Sequence, residues 1–288
     1  MASIVNGLCP LCGLKWPLKS VIFGQENSNK CSSLWLLFAK KKNETFLVDF
    51  QTLCIIFKNL KGSELTFPNV FYFIGSLTEF LFKNLKVISL HMNSCNIISV
   101  SENAFRGLEN TLQSLSLASN GLRSVPVVSL RNLRLLSQLD LSTNNIKFIP
   151  DNAFVTLRLK TLKLAENNIT ISDNALRGLE SSLKNLNLKG CQLKDVPLAV
   201  RDLKGVSFLD LAQNNLRVIE PGALQRLDSL TALNLERNVI QKLHRNVFSG
   251  VNDSLSSLSM LNNLLTEFPL EAIRSLPELR VSLKLLHF

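Results

Sequence analysis

Residues 136–146 read LSQLDLSTNNI, residues 159–169 read LKTLKLAENNI and residues 206–216 read VSFLDLAQNNL. In each stretch apolar residues occupy positions 1, 4, 6 and 11, and asparagine occupies position 9. Eight copies of this pattern occur at intervals of 23 to 25 residues, and their first residues are Val87, Leu112, Leu136, Leu159, Leu183, Val206, Leu230 and Leu255. Self-similarity at such a period predicts a repeat fold in which each unit packs against its neighbours.

The alternation of apolar residues within each copy is the period of a short β-strand. Leu162 and Leu164 are predicted to point inward, whereas Lys163 between them points outward. A second apolar pair later in each copy, such as Phe154 and Leu157, keeps the same phase. Because one such unit cannot bury its own apolar face, neighbouring units must stack and share a continuous core. The sequence therefore predicts a solenoid.

This pattern resembles that of the leucine-rich repeat family, and the resemblance covers residues 85–279. It implies an α/β fold, a curved solenoid with short parallel strands on the concave face and irregular or short helical turns on the convex face. It also implies a ladder at position 9, where an asparagine side chain, with two donors and an acceptor, bonds to backbone groups of the buried turn. The predicted ladder residues are Cys95, Asn120, Asn144, Asn167, Cys191, Asn214, Asn238 and Asn263. We interpret the two cysteines as reduced structural residues.

Residues 1–84 differ from the repeats in composition. They contain no arginine but ten of the 17 phenylalanines, and the repeat pattern cannot be phased through them. We expect a divergent flank here, which is either a gene-model artefact or a cap remnant. The resemblance to extracellular members of the family implies the latter, a disulfide-bonded cap that includes Cys9, Cys12 and Cys31. Residues 85–279 are predicted to form one array of eight repeats, and residues 280–288 a truncated ninth repeat. We expect the chain to be a fragment of a longer array.

The outward strand positions form the predicted binding surface, and they are mostly small and polar. The candidate binding residues are His91, Asp140, Lys160, Lys163, Lys184, Asn187, Lys189, Phe208, Asp210 and Asn234. The lysines lie on adjacent repeats, and Phe208 is a large apolar side chain where the pattern predicts exposure. The net charge of +10 favours an acidic partner through long-range attraction. The surface therefore favours a protein ligand or an acidic glycan, and the alternative is a solvated surface without a partner.

Several classes of function are not expected from this sequence. His91, His244 and His287 are scattered, and the chain has no phosphate-binding loop and no nucleophile with an identifiable base. We therefore expect no enzyme, no cofactor and no metal site. Nucleic acid is not an expected partner, because no row of aromatic residues accompanies the basic ones. No apolar run reaches the roughly 18 residues of a membrane span.

Repeats of about 24 residues with Phe-x-x-Leu in their second half are similar to extracellular leucine-rich repeat proteins of the chaoptin, slit and acid-labile-subunit kind. That resemblance implies a non-catalytic binding module for cell adhesion, extracellular matrix organisation or a receptor ectodomain. Separately, the N-x-[ST] sequons at Asn168 and Asn252 make these two residues candidate glycosylation sites. Residues 1–18 show no clear signal peptide. The segment RSVPVVSLRNL looks closer to intracellular repeats. A cytosolic scaffold for protein–protein interaction, located in the cytoplasm, is therefore the alternative.

Overall fold

The computed structural model describes residues 3–4, 21–24, 35–38, 64–66, 75–82, 85–274, 276 and 280–283. Two short α-helices, α1 (Val127–Leu130) and α2 (Leu270–Ile273), and a 3-10 turn at Leu198–Val200 accompany the strands. In chain order the strands are β1 (Ser3–Ile4), β2 (Val21–Gly24), β3 (Trp35–Phe38), β4 (Glu64–Thr66), β5 (Gly75–Leu77), β6 (Ser89–His91), β7 (Ile97–Val100), β8 (Ser114–Ser116), β9 (Gln138–Asp140), β10 (Phe148–Ile149), β11 (Thr161–Lys163), β12 (Thr170–Ile171), β13 (Asn185–Asn187), β14 (Phe208–Asp210), β15 (Ala232–Asn234), β16 (Ser257–Met260) and β17 (Arg280–Leu283).

The main sheet has ten strands, β4, β6, β8, β9, β11 and β13 to β17, and every neighbouring pair is parallel. Repeats stack in register, so Leu162 of β11 lies between Leu139 and Leu186 of the adjacent strands. These leucines point into the core and are at most 1% exposed. Smaller two-stranded sheets, β5 with β7 and β10 with β12, lie beside the main sheet, and β1 to β3 form a separate antiparallel sheet. The predicted parallel-strand solenoid is confirmed.

The array begins upstream of the predicted boundary at residue 85. β4 pairs with β6, and Phe82 stacks on Phe105 with 6.0 Å between the ring centroids. The sequence pattern missed this unit because Gly62 and Val70 occupy positions 1 and 9, where the other copies carry a large apolar residue and asparagine or cysteine. The interpretation of the remaining upstream residues as a divergent flank stays a prediction. Cys9, Cys12 and Cys31, the cysteines of the expected cap, lie outside the described residues. At the other end, β17 pairs with β16 where a truncated ninth repeat is predicted.

A second period, of three repeats, appears on the side opposite the strands. α1, the 3-10 turn and α2 each follow a proline, and they begin 71 and 72 residues apart. Proline suits the start of a helical turn because its φ is already fixed and its missing N–H would have no partner there. A positive-φ glycine also recurs at this spacing, at Gly107, Gly178 and Gly250. At Gly250 a Cβ atom would lie 2.1 Å from the carbonyl oxygen of Gln225, so the close approach of consecutive repeats requires glycine.

Candidate binding wall

The ladder asparagines hold the turns that follow the strands. The side-chain oxygen of Asn214 accepts hydrogen bonds from the backbone N–H groups of Cys191 and Leu193, at 2.9 and 3.0 Å. Its amide nitrogen donates to the carbonyl oxygens of Leu188 and Leu211, both at 2.9 Å, so the side chain joins two successive repeats. Equivalent bridges are formed by Asn120, Asn144, Asn167, Asn238 and Asn263. The bridges fix the point at which each strand leaves the concave sheet.

Cysteine replaces asparagine in two ladder positions. Cys95 and Cys191 are free and buried, and burial raises the pKa of Cys95 to about 11 and the pKa of Cys191 to about 12. Both are therefore protonated thiols near neutral pH, which does not suit a nucleophile. The Sγ of Cys191 lies 3.3 Å from the carbonyl oxygen of Leu164 and acts as a weak donor. In both repeats the cysteine's own N–H donates to the next ladder residue, Asn120 or Asn214.

The central row of the wall lies at the last position of the short strands, and the row is only partly free to bind. Four of its predicted binding residues already accept a hydrogen bond from the backbone N–H two residues later, at 2.9 to 3.1 Å. These acceptors are Asp140, Asn187, Asp210 and Asn234. The sequence signal for such a bond is asparagine or aspartate immediately before a turn, and these four residues have it. Each side chain has a second polar atom outside this bond, and in Asp140 that atom, Oδ2, lies beside Lys163.

The four predicted lysines lie at three different positions relative to the strands. Lys160 and Lys184 precede β11 and β13, and the N–H of Lys184 donates to the carbonyl oxygen of Lys160 at 2.9 Å. Lys163 ends β11, and its Nζ lies 3.4 Å from Oδ2 of Asp140. Lys189 is half-buried in the turn after β13. Lys160 and Lys184 are exposed, and among the described residues no ion pair involves either of them, so both remain available to a partner.

Phe208 and Asp210 share β14, and they face the concave side. Phe208 is 36% exposed, and its register partners are Asn185 on β13 and Ala232 on β15. The ring therefore has a small side chain on one flank. Asp210 is 8% exposed. Burial raises the pKa of its carboxyl group, while the hydrogen bond from Ala212 and the charge of Lys189 oppose that rise.

The remaining predicted residues are separate from these groups. His91 lies at the upstream end, where its Nε2 is 3.7 Å from Oε1 of Glu64 on β4. Asn168 is exposed, whereas Asn252 is half-buried and accepts a hydrogen bond from the N–H of Gly250 at 3.2 Å. Within the described part of the chain, no group of three or more His, Cys, Asp or Glu side chains is arranged to hold a metal ion. Across the same residues, no helix has the length and apolarity needed to cross a bilayer.

Comparison with known proteins agrees with this architecture. The family model described as leucine rich repeat matches residues 110–169 and 181–240. Chaoptin of Drosophila melanogaster is 34% identical over 200 residues, which cover 61% of this chain and 15% of chaoptin. Tsukushi of Gallus gallus is 26% identical over 242 residues, which cover 66% of this chain and 65% of Tsukushi. The crystal structure of the TLR13–ssRNA13 complex superposes with a TM-score of 0.71 at 29% identity, covering 83% of this chain and 34% of that chain.

The chain spans less than two thirds of the length of each of these three proteins. Chaoptin and Tsukushi are extracellular proteins built from leucine-rich repeats, and relatives in this family are mostly non-catalytic binding proteins. The described array is likewise a parallel-strand solenoid with few helices. The repeats of this chain are leucine-rich repeats, and its array resembles those of the extracellular members of that family.

Proposed function

We propose that this chain is a non-catalytic binding module that holds a protein or acidic glycan on its concave wall. The proposed setting is extracellular or at the cell surface, in adhesion, matrix organisation or a receptor ectodomain. The observation that carries the proposal is the exposed Phe208 on an otherwise polar parallel sheet, flanked by Ala232. Extracellular relatives support the proposed location.

A protein partner suits the Phe208 region. Aromatic side chains are enriched among the residues that dominate binding energy, particularly where polar contacts surround them. Asn185 lies beside the ring, and Asp210 lies two residues along the same strand. A partner that covers Phe208 therefore gains apolar burial and finds polar groups at the rim of that contact.

An acidic glycan suits the edge of the wall at which the strands begin. Lys160 and Lys184 are exposed on adjacent repeats. By the usual strand spacing their backbones lie about 5 Å apart. Neither belongs to an ion pair among the described residues. Two neighbouring ammonium groups without intramolecular partners favour sulfate or carboxylate groups on a glycan, and the net positive charge adds long-range attraction.

A cytosolic scaffold is the second candidate. Its support is the group of three proline-containing repeats that carry α1, the 3-10 turn and α2, since this form of repeat looks closer to intracellular arrays. Fractionation of cells that express the untagged protein from its own gene separates the two settings. Recovery from the medium or the cell surface supports the extracellular module, and exclusive recovery from the cytosol supports the scaffold.

Retention on immobilised heparin tests the glycan arm. The double variant Lys160→Ser/Lys184→Ser is expected to elute at lower salt than the wild-type chain. The matched control is Lys194→Ser/Lys204→Ser, which removes the same charge from exposed residues outside the predicted wall and should elute at higher salt than the wall variant. Equal elution of the two variants contradicts glycan binding at the wall.

Site-specific photo-crosslinking tests the protein arm. A benzophenone amino acid replaces Phe208 in one sample and the exposed Leu198, on the 3-10 turn, in the other. We expect a crosslinked partner only from position 208. Crosslinks from position 198 alone would place the binding surface on the opposite side.

A further inference from the structure

An exposed phenylalanine lies on the small sheet beside the main array. Phe148 of β10 is 52% exposed, and it pairs in parallel register with Thr170 of β12. The next pair in register is Ile149 with Ile171, and Ile149 is fully buried. The outward face of this two-stranded sheet therefore places the ring of Phe148 directly beside the side chain of Thr170.

Thr170 is also the third residue of an N-glycosylation sequon, Asn168-Ile169-Thr170. Exposure alternates along it: Asn168 and Thr170 are exposed, and Ile169 between them is 5% exposed. Side chains two residues apart in extended chain leave on the same side. Asn168, Thr170 and Phe148 consequently share one solvent-facing surface.

We propose that Asn168 carries an N-linked glycan and that the first sugar of this glycan packs on the ring of Phe148. The proposal rests on the extracellular function proposed above. In the transfer step the amide nitrogen of Asn168 forms a bond to the anomeric carbon of a lipid-linked oligosaccharide. The lipid pyrophosphate leaves with the bonding electron pair, and the amide nitrogen loses one proton. The apolar face of the attached sugar then covers aromatic surface that would otherwise face water.

The second candidate acceptor, Asn252, lies in a different environment. Its side-chain oxygen accepts a hydrogen bond from the N–H of Gly250, and the hydroxyl of Ser254, the third residue of its sequon, donates to the carbonyl oxygen of Val251 at 3.3 Å. The amide oxygen of Asn252 and the hydroxyl of Ser254 are thus engaged in a local turn, which fixes the side chain that carries the acceptor nitrogen. We expect Asn252 to remain unmodified.

A glycan on Asn168 leaves the concave wall open. Asn168 follows the ladder residue Asn167, whereas the wall residue Lys163 precedes it and ends β11. The chain passes through the buried ladder between these positions, and the modified surface belongs to the separate β10–β12 sheet. Glycosylation and partner binding are therefore compatible on the same repeat.

Mapping of glycan attachment tests the acceptor site. The full chain is secreted behind a heterologous signal sequence, and each sequon is assayed by mass spectrometry after enzymatic removal of the glycan, which converts a modified asparagine to aspartate. Occupancy is expected at Asn168, and it should be abolished in Asn168→Gln and unchanged in the control Asn252→Gln. A third sequon begins at Asn43, which lies outside the described residues, and peptide-level mapping measures its occupancy separately.

Thermal unfolding tests the packing on Phe148. One portion of the secreted chain is trimmed to the first sugar, and another is fully deglycosylated. In the wild-type chain the sugar is expected to raise Tm by about 2 °C, the size of shift that a modest packing contact produces in a domain of this size. The shift should vanish in Phe148→Ser and persist in Val218→Ser, which removes an exposed side chain at the equivalent position of another repeat.

An unmodified Asn168 in the secreted chain overturns the proposal, and so does an equal sugar-dependent shift in wild type and Phe148→Ser. The imposed signal sequence separates this failure from failure of the proposed function. A chain that is modified at Asn168 when secreted, but whose untagged form fractionates with the cytosol, supports the acceptor site and refutes only the proposed location.

Discussion

The ladder and the concave wall are two rows of polar residues with the same period, and they differ in how much of their hydrogen bonding is internal. Asn214, in the ladder, is 5% exposed and makes five hydrogen bonds to backbone groups of two repeats. Asn187, on the wall, makes one, to the N–H of Lys189. The same residue type therefore serves stability in one row and remains largely available to a partner in the other.

Truncation of the core beneath the wall should have the largest effect. Leu164 is fully buried immediately after β11, and Leu164→Ala is expected to lower the free energy of unfolding by about 2–5 kcal/mol. Denaturant titration followed by circular dichroism measures the change. The control Lys163→Ala alters the exposed neighbour. A midpoint for Leu164→Ala that matches the control would contradict the inward assignment.

Loss of a ladder asparagine should have the second-largest effect on the free energy of unfolding. Asn144→Ala leaves the N–H of Leu122 without a partner. It also removes one of the two side-chain donors to the carbonyl oxygens of Leu117 and Leu141, which keep the amides of Asn120 and Asn167. One unsatisfied buried group costs about 1–3 kcal/mol, so we expect a loss of about 1–3 kcal/mol. The matched control is Asn145→Ala at the exposed neighbouring position. Equal stability of the two variants would show that the ladder does not hold the turns.

A charge change at Asp210 should have a smaller, pH-dependent effect. Burial raises the pKa of this carboxyl group in the folded chain, so the stability contributed by its protonated form is complete below the unfolded pKa and is lost as pH rises through the folded pKa. Asp210→Asn keeps an acceptor for the N–H of Ala212 without the charge. We expect the variant to be more stable than wild type near neutral pH, with a gap that closes below about pH 4.

Thermal unfolding of Asp210→Asn and wild type across this pH range measures the gap. An advantage of the variant that grows as pH falls would reverse the sign and contradict the burial argument.

Removal of the available lysines should have the smallest effect on stability. Lys160→Ser/Lys184→Ser is expected to change the unfolding free energy by less than about 0.5 kcal/mol per residue, because both side chains are exposed and outside ion pairs. The same variant should nevertheless elute from heparin at lower salt than the wild-type chain. A large loss of stability would mean that these lysines belong to the structural row.

The sequence predicted those parts of the molecule that recur in every repeat. They recur because the buried core requires the same residue types in each unit. Inward leucines and ladder asparagines recur because each unit meets the same neighbours, and their spacing is visible in one chain. The upstream unit was missed because Gly62 and Val70 break the pattern, although Phe82 and Leu85 lie 23 residues before Phe105 and Leu108 and preserve its second half.

For the concave wall, the sequence predicted the positions of the candidate residues but not their contacts. Its candidate residues lie on or beside the strands, but the division of the lysines and the turn bonds of Asp140 and Asn187 depend on neighbouring repeats and were not anticipated. Outward side chains have no obligatory partner within the fold, so their types carry little information on what they contact. The three-repeat period of the convex side was not predicted, because it is not visible within any single repeat.

The most direct test compares one substitution in the two rows. The free energies of unfolding of Asn214→Ala and Asn187→Ala are measured by denaturant titration under identical conditions. We predict a loss of at least about 2 kcal/mol for Asn214→Ala and about 0.5–1.5 kcal/mol for Asn187→Ala, in line with the number of backbone groups that each leaves unpaired. Equal losses, or a larger loss for Asn187→Ala, would contradict the division between a structural ladder and an available wall.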